Sequence, residues 1–163
     1  IRTLQELCAV VAEFGESQHR YLHLSCHGGV NSDNEMVGLV LTTDRISNDD
    51  LVKLLAPHMA GRRLFLSSCL AARSTLATKL LERSDCLSVL APVGSINFDD
   101  AAVFWTAFYH LMFKKRAHAM SNAEIEATVE ICAALVNERF RLFFRKNGKV
   151  KNVTIGPLKK PKK

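Results

Sequence analysis

Short apolar runs alternating with amphipathic segments constrain this chain more than any other feature. Residues 21–26 (YLHLSC), 37–41 (VGLVL), 63–67 (RLFLS) and 86–91 (CLSVLA) read as strands, and as nearly continuous apolar ones. Strands of that kind are covered on both faces. Between them the period changes from 2 to 3.6. Leu4, Leu7, Cys8, Val11 and Phe14 recur at helical spacing behind a Thr3-Leu4-Gln5-Glu6 capping box. Ser47-Asn48-Asp49-Asp50 caps a second helix that carries Leu51, Leu54 and Leu55. Further helices are expected over about 73–82, over 99–113, and onward from a Ser121-Asn122-Ala123-Glu124 cap. The last places Ile125, Val129, Cys132, Val136 and Phe140 on one stripe. Two strands should flank Asn147-Gly148, a dipeptide suited to a hairpin turn. The alternation predicts an α/β fold: a mostly parallel sheet flanked by helices on both faces (an α/β/α sandwich), with a C-terminal β-hairpin.

With 163 residues, 48% of them hydrophobic, the chain can bury one core but not two comfortable ones. No apolar run approaches the roughly 18–20 residues of a membrane-spanning helix, and no signal-peptide pattern opens the chain. Five cysteines, odd in number and without Cys-x-x-Cys spacing, argue for reduced thiols in a cytoplasmic protein, against a disulfide framework or a zinc site. Isoleucine at position 1 leads us to expect a piece of a longer chain. The net charge of +6 is unevenly spread. Residues 139–163 hold ten Lys or Arg and no acid, whereas the remaining 138 residues carry −4. The final LKKPKK (158–163) reads as a basic, solvated tail. Clustered lysines can neutralise phosphates, but no aromatic interleaving accompanies these. Nucleic acid is therefore expected at most through the tail, and a membrane not at all.

In parallel sheets ligands collect beyond the carboxyl ends of the strands. Two strands here end on residues that a strand does not require: Cys26-His27-Gly28-Gly29 after the first and Ser67-Ser68-Cys69 after the third. A cysteine attacks as thiolate, and a free thiol is mostly protonated at neutral pH. A histidine nearby can take that proton and return it to a leaving amine. Gly28 would let the backbone turn sharply and present an N–H to a substrate carbonyl. Cys26 is a rival nucleophile, yet strand alternation should turn it under a helix. His23, on the same parity as His27, reads as a core histidine. His19, His58, His110 and His118 read as surface residues, and Cys8, Cys86 and Cys132 as core.

The order of these segments resembles the caspase-like cysteine peptidases, and among them the CHAT domains, relatives of caspases and separase. The resemblance rests on a helix leading into a His-x-x-x-His-Gly strand (His23, His27, Gly28) and on Leu66-Ser67-Ser68-Cys69. It continues through a later strand, the acidic pair Asp99-Asp100 and Phe108-Tyr109-His110-Leu111. It spans about residues 3–120. Ser68 stands where the family usually has Ala, the loop 94–98 lacks the family's Trp, and the caspase-type Gln-Ala-Cys-x-Gly segment is missing. Family members carry a strand and helix before the first helix found here. The resemblance thus implies that 1–157 is a peptidase domain lacking the N-terminal part of the family fold, followed by the tail.

What the resemblance implies is a regulated cysteine endopeptidase without metal or organic cofactor. Cys69 would be the nucleophile, His27 the general acid/base, and the backbone N–H groups of Gly28 and Cys69 the oxyanion donors. Its partners would be a protein substrate and a sensor or regulatory module in the same chain or complex, in prokaryotic defence or programmed death. Asp99, Asp100, Asp33 and Glu35 are expected near the substrate pocket, favouring a basic residue before the scissile bond. Asp99 and Asp100 would equally suit a helix N-terminus. Two alternatives stand beside this reading: an inactive caspase-like scaffold that binds an acidic partner through the basic C-terminus, and a thiol switch between Cys26 and Cys69.

Overall fold

The computed structural model describes residues 1–115 and 119–157. His118 and the basic tail 158–163 lie outside the described residues. Helix α1 (Leu4–Glu16) begins where the Thr3 hydroxyl accepts the Glu6 N–H at 3.1 Å. The Glu6 carboxylate accepts from Arg2 N–H at 2.6 Å and not from Thr3, so the expected box closes one residue early. At the other end of α1, the Arg62 guanidinium donates to the carbonyls of Phe14, Gly15 and Ser17. Carbonyls at a helix end lack helical partners, and that of Phe14 also accepts from the Ser17 N–H and hydroxyl.

The chain then runs through β1 (Tyr21–Ser25), β2 (His27–Val30), β3 (Met36–Val40), β4 (Arg45–Ser47), α2 (Asn48–Leu55), β5 (Arg63–Ser67) and α3 (Leu76–Arg83). It finishes with β6 (Ser88–Pro92), α4 (Phe98–Lys115), α5 (Asn122–Val136), β7 (Phe140–Lys146) and β8 (Lys149–Ile155). Five strands form the main sheet in the order β1-β5-β6-β7-β8, and β2-β3-β4 form a small antiparallel sheet.

Alternation along the strands sorts the core into two layers. Leu64 and Leu66 of β5, with Val89 and Ala91 of β6, join Leu22 and Leu24 in a cluster under α1, α2 and α3. Phe65 and Leu90 point the other way, into a cluster with Phe104, Phe108, Ile125, Val129, Cys132 and Phe140 under α4 and α5. Helices therefore cover both faces.

The main sheet is mixed, not mostly parallel. β1–β5 and β5–β6 run parallel, while β6–β7 and β7–β8 run antiparallel. The reason lies in the connections. One helix, α3, carries the chain back to the starting edge, so β6 runs parallel to β5. Two helices in series, α4 and α5, return it to the edge it left, so β7 must reverse. Asn147 (φ 53°) and Gly148 (φ 73°) then adopt the left-handed backbone of a two-residue turn, which can join only antiparallel strands. Phe140, expected on the α5 stripe, opens β7 instead, because α5 stops at Asn137 in a left-handed cap.

Phe65 sits fully buried between the rings of Tyr21 and Phe108. Phe65→Ala is expected to cost about 3–5 kcal/mol, measured by urea denaturation. A loss below about 1 kcal/mol would contradict its central place in the α4–α5 layer.

Candidate active site

β1 and β5 lie side by side and parallel, with Ser25 paired to Ser67. Cys26 N–H extends the ladder to the Ser67 carbonyl at 3.2 Å. His27 and Cys69 each stand two residues beyond the last pair, at the carboxyl edge of adjacent strands. They also continue the parity of Tyr21 and Phe65, the residues that face α4.

The two chains then separate. His27 opens β2 and pairs with Val40 of β3. After Cys69 the backbone turns through Leu70, whose φ of 59° is left-handed, and enters a short 3₁₀ turn over Ala71–Arg73. Leu70 N–H donates to the Gly94 carbonyl at 3.0 Å, and Arg73 N–H to the Leu70 carbonyl at 2.8 Å. A β-carbon-bearing residue in that conformation costs about 1–3 kcal/mol and persists only where its surroundings hold it. Gly28 packs directly on this turn. A Cβ there would lie 2.5 Å from the Cys69 carbonyl oxygen, so only glycine allows the His27 strand to approach this closely.

A cavity of about 830 Å³ opens along this edge. Ser25, Cys26, His27, Ser67 and Cys69 contribute to its lining from the strand ends. Phe98, Ala101, Ala102 and Trp105 contribute from α4, and the spacing of three and four residues marks one helical face. Cys69 Sγ–H donates to the Ile96 carbonyl at 3.7 Å. No hydrogen bond joins it to His27 among the described residues. In unliganded sites such bonds often close only around substrate.

His23, half-buried, is a polar member of the lining. Its Nδ1 shares a 3.0 Å hydrogen bond with Tyr109 Oη, its ring sits 4.4 Å from that of Trp105, and its buried Nε2 has no partner. Burial pushes its pKa down to about 4 and that of Tyr109 well up.

The acidic residues expected around the pocket are not brought to it. Asp99 and Asp100 occupy the first turn of α4. At about 100° per residue they are rotated off the Phe98–Ala101–Ala102–Trp105 face. Asp33 and Glu35 sit in the β2–β3 turn, where their N–H groups donate to Asn31 Oδ1 at 3.1 and 2.9 Å. None of the four lines the cavity. Cys26 packs against the aliphatic cluster, as alternation predicts, yet also reaches the cavity, and burial raises its thiol to about 11. Cys8, expected in the core, is exposed, while Cys86 and Cys132 are buried. Among the described residues no three His, Cys, Asp or Glu side chains form a group able to hold a metal ion. No helix among them is long and apolar enough to cross a membrane.

Sequence reasoning missed β2, β4 and the lining role of α4. The signal for the last was available in the spacing of Phe98, Ala101, Ala102 and Trp105, where small residues alternate with large rings.

No protein-family model matches the chain. No curated protein matches it either. Among solved structures it is similar to protein GSU0716 of Geobacter sulfurreducens, with a TM-score of 0.46 and 13% sequence identity over 98% of this chain and 75% of that one.

The depressed pKa of His23 gives a signed expectation. Unfolded, the imidazole binds a proton below its ordinary 6.5, whereas folded it resists until about 4. Stability should fall as pH drops through that window and level off below it. The surface carboxylates of Glu6 (held by Arg2 N–H), Asp49 (by Lys79) and Asp50 (by Lys53) sit below their ordinary values, and what they contribute on acidification is common to the parent and a His23 variant. Denaturation midpoints between pH 6.5 and 4.5 should drop less steeply in His23→Gln than in the parent. Parallel profiles would show that another group binds the proton.

Proposed function

We propose that this chain is a caspase-like cysteine endopeptidase that uses a His27/Cys69 dyad. The observation that carries the reading is the meeting of an exposed histidine and a half-buried cysteine in one cavity, at the carboxyl edge of two adjacent parallel strands. The left-handed Leu70 behind the cysteine and the contact of Gly28 with its carbonyl add support. Local strain of that kind clusters at functional sites.

The chemistry runs in two halves. His27 takes the Cys69 proton as Sγ attacks the scissile carbonyl carbon. The backbone N–H groups of Gly28 and Cys69 receive the developing oxyanion. The C–N bond breaks as His27 returns the proton to the amine, leaving a thioester on Cys69. Water, deprotonated by His27, attacks that thioester, and Cys69 leaves with the proton. Acid–base help of this kind is worth about 10²–10⁴-fold, and each oxyanion donor about 10²–10³-fold. Regulation by a sensor module, in defence or programmed death, belongs to the same proposal.

The test compares new protein termini generated in a proteome by the parent chain and by Cys69→Ala. Cleavage should vanish in the variant while its circular dichroism stays unchanged, and His27→Ala should lower the rate by about 10²–10⁴-fold. Cleavage that survives in a folded Cys69→Ala protein would overturn the dyad. The scaffold reading predicts instead that a thiol-reactive peptide electrophile leaves Cys69 unlabelled.

A further inference from the structure

A helix on the outside of a domain ordinarily turns a polar face to water. The outer face of α5 is apolar instead. Its core side is Ile125, Thr128, Val129, Cys132 and Ala133, all buried. On the opposite side Ala123, Ala127, Ile131, Ala134 and Leu135 are exposed, five of the helix's seven exposed residues. Ile131 and Leu135 are the large ones, at 52% and 63% exposure. At about 100° per residue, intervals of three and four keep the five on one stripe. A helix that is apolar almost all round is ordinarily covered on both sides. The stripe is separate from the cavity, to which α5 contributes no lining residue.

The charge of α5 narrows what can cover it. From Asn122 to Val136 there are three carboxylates and no Lys or Arg. Glu124 closes the Ser121 capping box. Glu126 and Glu130 stand exposed along one flank of the stripe, without an ion-pair partner among the described residues. Like charges four residues apart cost a helix a little, and a cation laid between them removes that cost. We infer that the outer face of α5 docks an amphipathic helix of a partner protein, one whose apolar seam is flanked by Lys or Arg. From Ala123 to Leu135 the stripe runs about 18 Å at 1.5 Å per residue, the length of three to four helical turns. Partner helices of this class carry apolar anchors at the same three- and four-residue intervals. A second copy of α5 brings the same carboxylates and no base, so it lacks the counter-charge. The docking face goes beyond the peptidase reading and does not rest on it.

The test uses the Cys69→Ala chain, so a bound peptide stays whole and the outcome is independent of cleavage. The probe is a fluorescein-labelled synthetic helix of about four to five turns, with Leu at three- and four-residue intervals and Lys elsewhere. A second peptide has Glu for every Lys, and a third keeps the composition but scatters the Leu residues. Fluorescence anisotropy should show the Lys helix binding saturably, with a Kd at least about tenfold below those of the other two. Ile131→Gln combined with Leu135→Gln should raise that Kd at least about tenfold, the loss expected of central apolar anchors. Leu87→Gln, at a leucine 45% exposed outside α5, should leave it unchanged. Glu126→Gln and Glu130→Gln should each raise it by up to about fivefold, as exposed ion pairs do, and should flatten its dependence on salt. All these positions are exposed, so circular dichroism should match that of the parent. A Lys helix that binds no better than the Glu or the scattered peptide, or binds the Ile131/Leu135 double variant as tightly, would overturn the assignment. So would sedimentation showing a dimer that becomes a monomer in the double variant, since the face would then belong to a second copy.

Discussion

The parallel pairing of β1 with β5 is the contact on which the candidate site depends. A slip of one residue would turn every side chain of β1 to the opposite face. His27 would then leave the α4 side, and Cys69 would lose its neighbour. What prevents the slip is apolar sorting on both faces at once. Leu22 and Leu24 are buried with Leu64 and Leu66 on one side, and Tyr21 stacks on Phe65 at 5.9 Å on the other. Burying one such side chain is worth about 1.5–3 kcal/mol relative to leaving it in water. Register is therefore held by residues that touch no substrate, and the chemistry-bearing residues simply continue it past the end of the ladder.

Beyond the ladder, precision has to come from the backbone. Gly28 and Leu70 supply it from opposite sides of Cys69. The glycine lets the β2 strand close on the Cys69 carbonyl, and Leu70, buried at 4% exposure, is held left-handed by the aliphatic core around it. A fold selected for stability alone would place Gly or Asn at position 70. Leucine there links the turn that presents Cys69 to the packing of the whole layer. Disturbance of that core would be felt at the cysteine.

Much of this was legible in the sequence because it depends on local pattern. The five helices and the strands at 21–25, 63–67 and 88–92 follow from period and capping, and the nearness of His27 and Cys69 follows from two strand ends. The β7 direction was not legible, because it depends on whether α4 and α5 act as one crossover or two. Nor were β2 and β4, since His27-Gly28-Gly29-Val30 and Arg45-Ile46-Ser47 carry too few apolar residues to register as strands and are held by pairing to β3. The acidic residues misled for a related reason. Proximity in sequence to a strand end says nothing about rotation around a helix, and Asp99 and Asp100 fall on the wrong side of α4.

The two faces of the sheet divide the labour. The face under α1, α2 and α3 is lined almost wholly by aliphatic side chains and alanines. The face under α4 and α5 is built from rings: Phe104 stacks on Phe140 at 3.6 Å, and Phe65 meets Phe108 edge-on at 5.4 Å. Those contacts fix the middle of α4, and so fix where its first two turns stand over the strand ends. The polar atoms left without partners in the described residues include His23 Nε2 and Thr128 Oγ1, both on this second side. An unpartnered buried polar group costs about 1–3 kcal/mol, a large fraction of the margin by which a domain is stable. The aliphatic face carries one such atom among the described residues, Asn48 Oδ1 at the start of α2. That face can offset a cavity, a strained turn and an unmatched imidazole on the side where a substrate would enter.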